Sequence, residues 1–217
     1  GLNINIGTLN RATIPAMFAA GVKANGCGHP VILDPVGAGA SRLRTDTARR
    51  LLEQIQFTVI RGNISEIKTL ALGSNSTKGV DADVGDAVTE ATLECVIVFA
   101  KRLAETTGAI VAITGAIDIV ADARKAFVLR NGHPMMSRVT GTGCMLSALI
   151  AAYLVANPEQ WLEATAAAVC AMGLCGERAH ARLTEQDGNA TYRNLIIDEV
   201  FRLTGDILDR ETKYDIR

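Results

Sequence analysis

The sequence has no P-loop GxxxxGK[ST], no GxSxG elbow and no GxGxxG after a strand. P-loop NTPases, serine hydrolases and Rossmann-type dinucleotide binders therefore have no motif to rest on. Its three histidines, His29, His133 and His180, are scattered and form neither HExxH nor a Cys/His cluster, which argues against zinc. The cysteines at 27, 95, 144, 170 and 175 show no paired CxxC spacing and are too sparse for a secreted disulfide scaffold. A reducing, cytoplasmic setting is expected. Charge of one sign is not in excess either: 22 Lys and Arg face 23 Asp and Glu, for a net charge of -1. With no basic block or aromatic-interleaved basic stripe, nucleic acid is not an expected partner. The longest apolar run, Met145 to Ala156, is interrupted by Ser147. It falls short of the roughly 18 to 20 residues that span a bilayer, so it reads as a buried helix and no membrane contact is expected. The chain opens on Gly1-Leu2-Asn3-Ile4 without a charged n-region or an apolar h-region, and no export is expected.

What is present is enough apolar material, 48% of 217 residues, to bury one large core. Short β-branched runs alternate with segments of helical period, as in a largely parallel sheet with helices on both faces. Strands are expected at Asn3 to Ile6, Val31 to Leu33, Phe57 to Ile60 and Ile110 to Ile113. Helices are expected at about Arg11 to Ala24, Thr45 to Gln54 and Asp86 to Glu105, with another after "RGNISEIKTLA" begins. The polar, Gly-rich "LGSNSTKGVDADVGDA" reads as a surface loop. Further short strands are expected at Asp118 to Ala121, Ala126 to Arg130 and Met135 to Arg138, with Asn131-Gly132 as a hairpin signal. The sheet is therefore mixed, with antiparallel strands toward one side. Cys144 to Ala156, Glu159 to Arg182 and Thr191 to Leu203 read as helices. Small residues in "ATAAAVCAMGLCG" let the middle one pack closely. With no repeat or linker, residues 1–217 read as a single domain.

In parallel α/β sheets ligands bind beyond the carboxyl ends of the strands, where Gly7, Asp34, Asn63, Glu66, Thr114 and the Gly141 to Cys144 turn all fall. Asp34 at a strand end and Glu66 in the next helix's first turn suit a hydrated Mg²⁺, which takes few protein ligands and shares phosphate oxygens. Equally, Asp34 can cap a turn and Glu66 can complement a helix dipole. Arg61, beside Gly62, suits either a phosphate or a surface ion pair. Thr140-Gly141-Thr142-Gly143-Cys144 places close-approaching amides at a helix start, a position that attracts negative charge. Cys144 there is either a packed, inert thiol or a group facing the site. Cys95, Cys170 and Cys175 read as packing.

Together, "NIGTLN", "VILDPVGAGASRLRT", "TVIRGNISEI", "AITGAIDIVAD", "NGH" and "VTGTGCMLSALIAAYL", in this order, resemble the hydroxyethylthiazole kinase family of thiamine salvage. This is a branch of the ribokinase-like superfamily, and the resemblance runs from the first strand to the last helix. It implies a three-layer α/β/α fold with a central, largely parallel mixed sheet. It also implies Mg²⁺-dependent transfer of the ATP γ-phosphoryl group to the primary hydroxyl of 4-methyl-5-(2-hydroxyethyl)thiazole. By resemblance, Arg61 and Thr114 contact ATP phosphates, with Asn63 in support, and Asp34 and Glu66 organise the metal and its waters. Gly7 and Gly141 line the thiazole pocket, and Gly141, Thr142 and Gly143 form the anion hole. Cys144 stands beside the substrate hydroxyl, where the superfamily's usual base is Asp. Family chains carry a segment ahead of the NIGTL strand, with an Asn-containing stretch and a methionine at the thiazole pocket, and nothing here corresponds to it. The family assembles as a trimer with sites at subunit interfaces. Other ribokinase-like activities, another small-molecule kinase or an ATP-dependent hydrate dehydratase, would reuse the same turn. A nucleotide-binding fragment without turnover is the non-enzymatic alternative.

Overall fold

The computed structural model describes residues 1–72 and 87–217. Seven strands lie side by side in chain order: β1 (Leu2–Asn5), β2 (Val31–Asp34), β3 (Val59–Asn63), β4 (Ile110–Thr114), β5 (Asp118–Ala121), β6 (Ala126–Leu129) and β7 (Tyr214–Ile216). The first four pair parallel, and β4 through β7 pair antiparallel. Parallel strands need crossovers, and the helical segments between them supply these. They are α1 (Thr13–Gly26), α2 (Arg42–Gln54), α3 (Ile64–Ala71) and α4 (Leu93–Thr107). The second half adds α5 (Thr142–Ala156), α6 (Trp161–Ala181), α7 (Asn189–Arg202) and α8 (Gly205–Glu211).

Strand alternation sorts the core into two layers. Ile4, Val31, Leu33, Ile60, Val111, Ile113 and Ile119 join the core that packs beneath α1 to α4. Ile32, Val59, Ala112, Val120, Phe127 and Leu129 join the core beneath α5 to α7. The result is the expected three-layer α/β/α arrangement with a mixed sheet. Every residue of β2 is buried, as a central parallel strand requires.

The structure corrects three sequence expectations. Met135 to Arg138 is not a strand but part of a 3-10 helix, Pro134–Arg138, because Pro134 starts it and the His133 side chain caps the Met135 amide. Asn131-Gly132 consequently makes no hairpin. The antiparallel neighbour of β6 is instead β7, near the carboxyl end of the sequence. α4 begins at Leu93 rather than near 86, because Thr92 accepts from the Thr89 amide and donates to the Ala87 carbonyl, fixing a turn ahead of it. Most of the expected surface loop, residues 73–86, lies outside the described residues.

Candidate active site

Parallel pairing brings the strand ends together. Asn5 ends β1 directly beside Asp34 at the end of β2, and Asn63 at the end of β3 lies beside Thr114 at the end of β4. The amino end of α5 closes over this edge. Its N-cap, Gly141, has φ +97°, a conformation glycine adopts without strain, and no side chain caps the first turn. The turn's amides are thus left to face the strand ends.

Asp34 is fully buried. Its Oδ2 accepts from Asn5 Nδ2 at 2.7 Å and from Ser147 Oγ at 2.9 Å. Its Oδ1 has no hydrogen-bond partner, and the nearest cation, Arg61 Nη1, is 3.6 Å away. Burial pushes the Asp34 carboxyl above its ordinary value and nearby Glu66 adds to this, while Arg61, Ser147 and Asn5 pull the other way. Arg61 donates from Nη2 to Thr114 Oγ1 at 2.7 Å, while its Nε stays buried without a partner. An unpaired acceptor and an unpaired donor beside each other mark a place where a cation or an anionic oxygen completes the bonding.

Glu66 and Asn63 form a capping box at the start of α3. The Glu66 carboxylate also accepts from the Gly37 amide at 2.8 Å, which ties the "DPVGAGA" loop to α3. Each oxygen keeps a second lone pair for a ligand. Gly7 donates its amide to Asn5 Oδ1, and its carbonyl accepts from Arg44 Nη2 at 3.0 Å. Cys144 is exposed, and its Sγ accepts from the same Asn5 Nδ2, at 3.1 Å. One amide group therefore bridges Asp34 and Cys144. Gly143 lies against the guanidinium: a Cβ there would stand 2.6 Å from Arg61 Nη1.

A cavity of about 510 Å³ opens on the other side of Arg61. Its polar end is Arg61, Thr114, Thr142 and Gly143, and Leu146, Val169 and Met172 line its apolar side. Gly7, Asp34, Glu66 and Cys144 lie outside the cavity lining. Asp118, half-buried at its rim, accepts from the Gly115 amide at 2.8 Å. Burial pushes its carboxyl up to about 7 against the pull of that bond and of Arg61.

Sequence reasoning missed Asn5, Arg44, Asp118 and the role of Ser147. Asn5 had one legible signal: it stands two residues before Gly7, at the end of a strand that pairs with the strand ending in Asp34. Arg44, in the first turn of α2, and Ser147, in α5, carried none, since each reads locally as an ordinary polar helix residue. His133, Asn131 and Met172 join the cavity only through the packing of α6. Among the described residues no three His, Cys, Asp or Glu side chains cluster as a metal cage, and no helix is long and apolar enough to cross a membrane.

A sheet of this order with helices on both faces and an anion-seeking turn over its parallel strand ends defines a small-molecule kinase of the ribokinase-like fold. Staphylococcus aureus pyridoxal kinase shares the fold at a TM-score of 0.60 and 17% identity, covering 99% of this chain and 72% of that one. The chain belongs to the hydroxyethylthiazole kinase family, whose model matches residues 1–206. It is 64% identical to the hydroxyethylthiazole kinase of Clostridium acetobutylicum over 215 residues, 99% of this chain and 79% of that protein. The hydroxyethylthiazole kinase structure from Pyrococcus horikoshii superposes at a TM-score of 0.82 with 32% identity, covering 99% of this chain and 76% of that one.

Proposed function

We propose that this protein phosphorylates the primary hydroxyl of 4-methyl-5-(2-hydroxyethyl)thiazole, with ATP as donor and Mg²⁺ as cofactor. The observation that carries this reading is Arg61, held between Thr114, Asp34 and the Gly143 backbone where the cavity meets the α5 turn. ATP in the cavity would lie with its terminal phosphate oxygens on Arg61, Thr114 and the amides of Gly141, Thr142 and Gly143, and with its base toward Val169 and Met172. Amides and a guanidinium fixed before the reaction stabilise charge on a transferring phosphoryl group at little reorganisation cost.

Asp34 and Glu66 fit a magnesium ion. One presents a buried, unpartnered oxygen, the other has spare lone pairs, and their charges are close enough to interact. When bound, the ion neutralises phosphate charge. Asn63 holds Glu66 in place through the capping box.

The thiazole alcohol belongs beside Gly7, Gly141 and Cys144. Its hydroxyl oxygen forms the new bond to the γ-phosphorus as the bond from that phosphorus to the β,γ-bridging oxygen breaks. ADP leaves, and the hydroxyl proton passes to the Cys144 thiolate, which becomes a thiol. Asn5 donates to both Cys144 and Asp34, and so fixes the distance between the alcohol side and the metal side. Positioning dominates phosphoryl transfer, so a weak base such as a thiolate is adequate.

The outer face of α5 leaves Ala148, Ala152 and Val155 exposed. This apolar face supports a homotrimer with sites at subunit interfaces. Residues 1–217 form a single domain in this reading, and its setting is the cytoplasm. A coupled assay of ADP release with hydroxyethylthiazole, ATP and Mg²⁺ tests the reading. Turnover that depends on the thiazole and disappears with EDTA is expected. ATP binding with no alcohol-dependent ADP release, or a clear preference for a hydroxymethylpyrimidine, would refute it.

A further inference from the structure

The outer wall of the cavity is the segment from Asn131 to Ser137, which belongs to neither the sheet nor α5. Its far part is the 3-10 helix, which holds itself, but its near part contains Gly132 at φ +144°, a region open to glycine and to few other residues, so local backbone chemistry does little to hold Asn131 and Gly132. What holds them is α6. Gly173 lies under Asn131, and a Cβ there would stand 2.4 Å from the Asn131 carbonyl oxygen. One turn on, Glu177 Oε1 accepts from the Gly132 amide at 2.9 Å and from Asn131 Nδ2 at 3.4 Å. A further turn on, His180 stacks on His133 with ring centroids 3.5 Å apart. Positions 173, 177 and 180 share one helix face, which therefore offers the wall a bare backbone, an acceptor and a flat ring in succession.

Lys213, just before β7, reinforces the same point. Its Nζ lies 3.1 and 3.0 Å from the two Glu177 oxygens, and its amide donates to Asn131 Oδ1 at 2.7 Å. Asn131 is buried and also donates to the Glu211 carbonyl. Glu177 does not line the cavity, yet it bonds to two consecutive residues that do.

We propose that Glu177 is a positioning residue for the nucleotide, setting the width of the apolar slot by anchoring the Asn131–Gly132 backbone to α6. It acts through Gly132 and His133 and touches no substrate. The inference rests on the reading that this cavity receives ATP. His133, Pro134 and Met136 line the slot together with Leu146, Val169 and Met172, and a flat ring held in such a slot loses contact when one wall recedes by a fraction of an ångström.

The acceptor oxygen, rather than the charge, is what the wall uses. Glu177→Ala removes it, and Glu177→Gln keeps it while losing the Lys213 ion pair. Isothermal titration with ATP and Mg²⁺, steady-state kinetics in both substrates and thermal melts of the three proteins test this. For Glu177→Ala the expected result is about a tenfold weaker ATP Kd and higher ATP KM, the size of one lost charge-assisted bond. Its kcat and thiazole KM should stay within about twofold of the parent. Glu177→Gln should recover ATP affinity to within about threefold. Unchanged ATP affinity in Glu177→Ala would overturn the proposal. So would equal impairment of both variants, or a fall in kcat and both KM-dependent rates together with a lowered Tm. If the parent protein itself fails to bind ATP, the assignment of the cavity falls first and the positioning role with it.

Discussion

Gly143→Ala adds a single methyl at the first turn of α5, and the structure says where it goes. The new Cβ would stand 2.6 Å from Arg61 Nη1, 2.9 Å from Nη2 and 3.1 Å from Cζ. Ordinary contact begins near about 3.4 Å, so the guanidinium must retreat by about 0.8 Å. It cannot do so freely, because its Nη2 is bound to Thr114 Oγ1 at 2.7 Å and its side chain is only 12% exposed. The retreat would stretch or break that bond and move Arg61 away from the triphosphate end of the cavity. A lost hydrogen bond to a charged group costs about 1.5 to 3 kcal/mol. At 1.4 kcal/mol per factor of ten, kcat/KM for ATP should fall by roughly 10- to 150-fold. The helix itself should be unharmed, since alanine is a better helix former than glycine. ADP-release kinetics at varied ATP, paired with a thermal melt, separate the two effects. A variant with parental kcat/KM for ATP would show that Arg61 does not set the phosphate geometry. If activity and Tm fell together, the loss would be one of folding, and the expectation that the helix is unharmed would be wrong.

The sulfur at 144 gives a second test. Cys144→Ser should slow turnover and Cys144→Asp should preserve or raise it. An unchanged kcat in Cys144→Ala at saturating substrates would remove Cys144 as the proton acceptor. Asp118 predicts a pH effect on stability. Its folded-state pKa of about 7 lies above the ordinary 3.8, so the native state binds the proton more tightly than the unfolded chain does. That contribution is fully present below about pH 4 and is lost as pH rises through about 7. Asp118→Asn keeps an acceptor for the Gly115 amide and has no proton to lose. It should therefore match the parent in acid and exceed it above pH 7, by about 1 to 2 kcal/mol given the carboxyl's access to cavity water. Parallel Tm curves for the two proteins between pH 4 and 8 would contradict the assignment.

Much of this protein is legible along the chain. Hydrophobic alternation and turn residues locate β1 to β6, and the order of motifs at strand ends points to the residues that meet at one sheet edge. Asp34, Glu66 and Arg61 could be picked out because each sits next to local punctuation: a proline, a capping asparagine or a glycine. The same local logic fails where a segment's structure depends on what it lies against. Met135 to Arg138 has a strand-like pattern, but α6 offers it a face bared at Gly173 and Gly176, and it coils there instead. β7 is three exposed residues without a pattern of its own, and only the open edge of β6 makes it a strand. Asn5, Ser147 and Glu177 are ordinary polar residues until the fold removes water from their partners. Chemical identity and spacing set which strands and turns this sequence makes. Which donor meets which acceptor, and so what the site can hold, was decided by burial, because a polar group's choice of partner matters only once solvent can no longer serve.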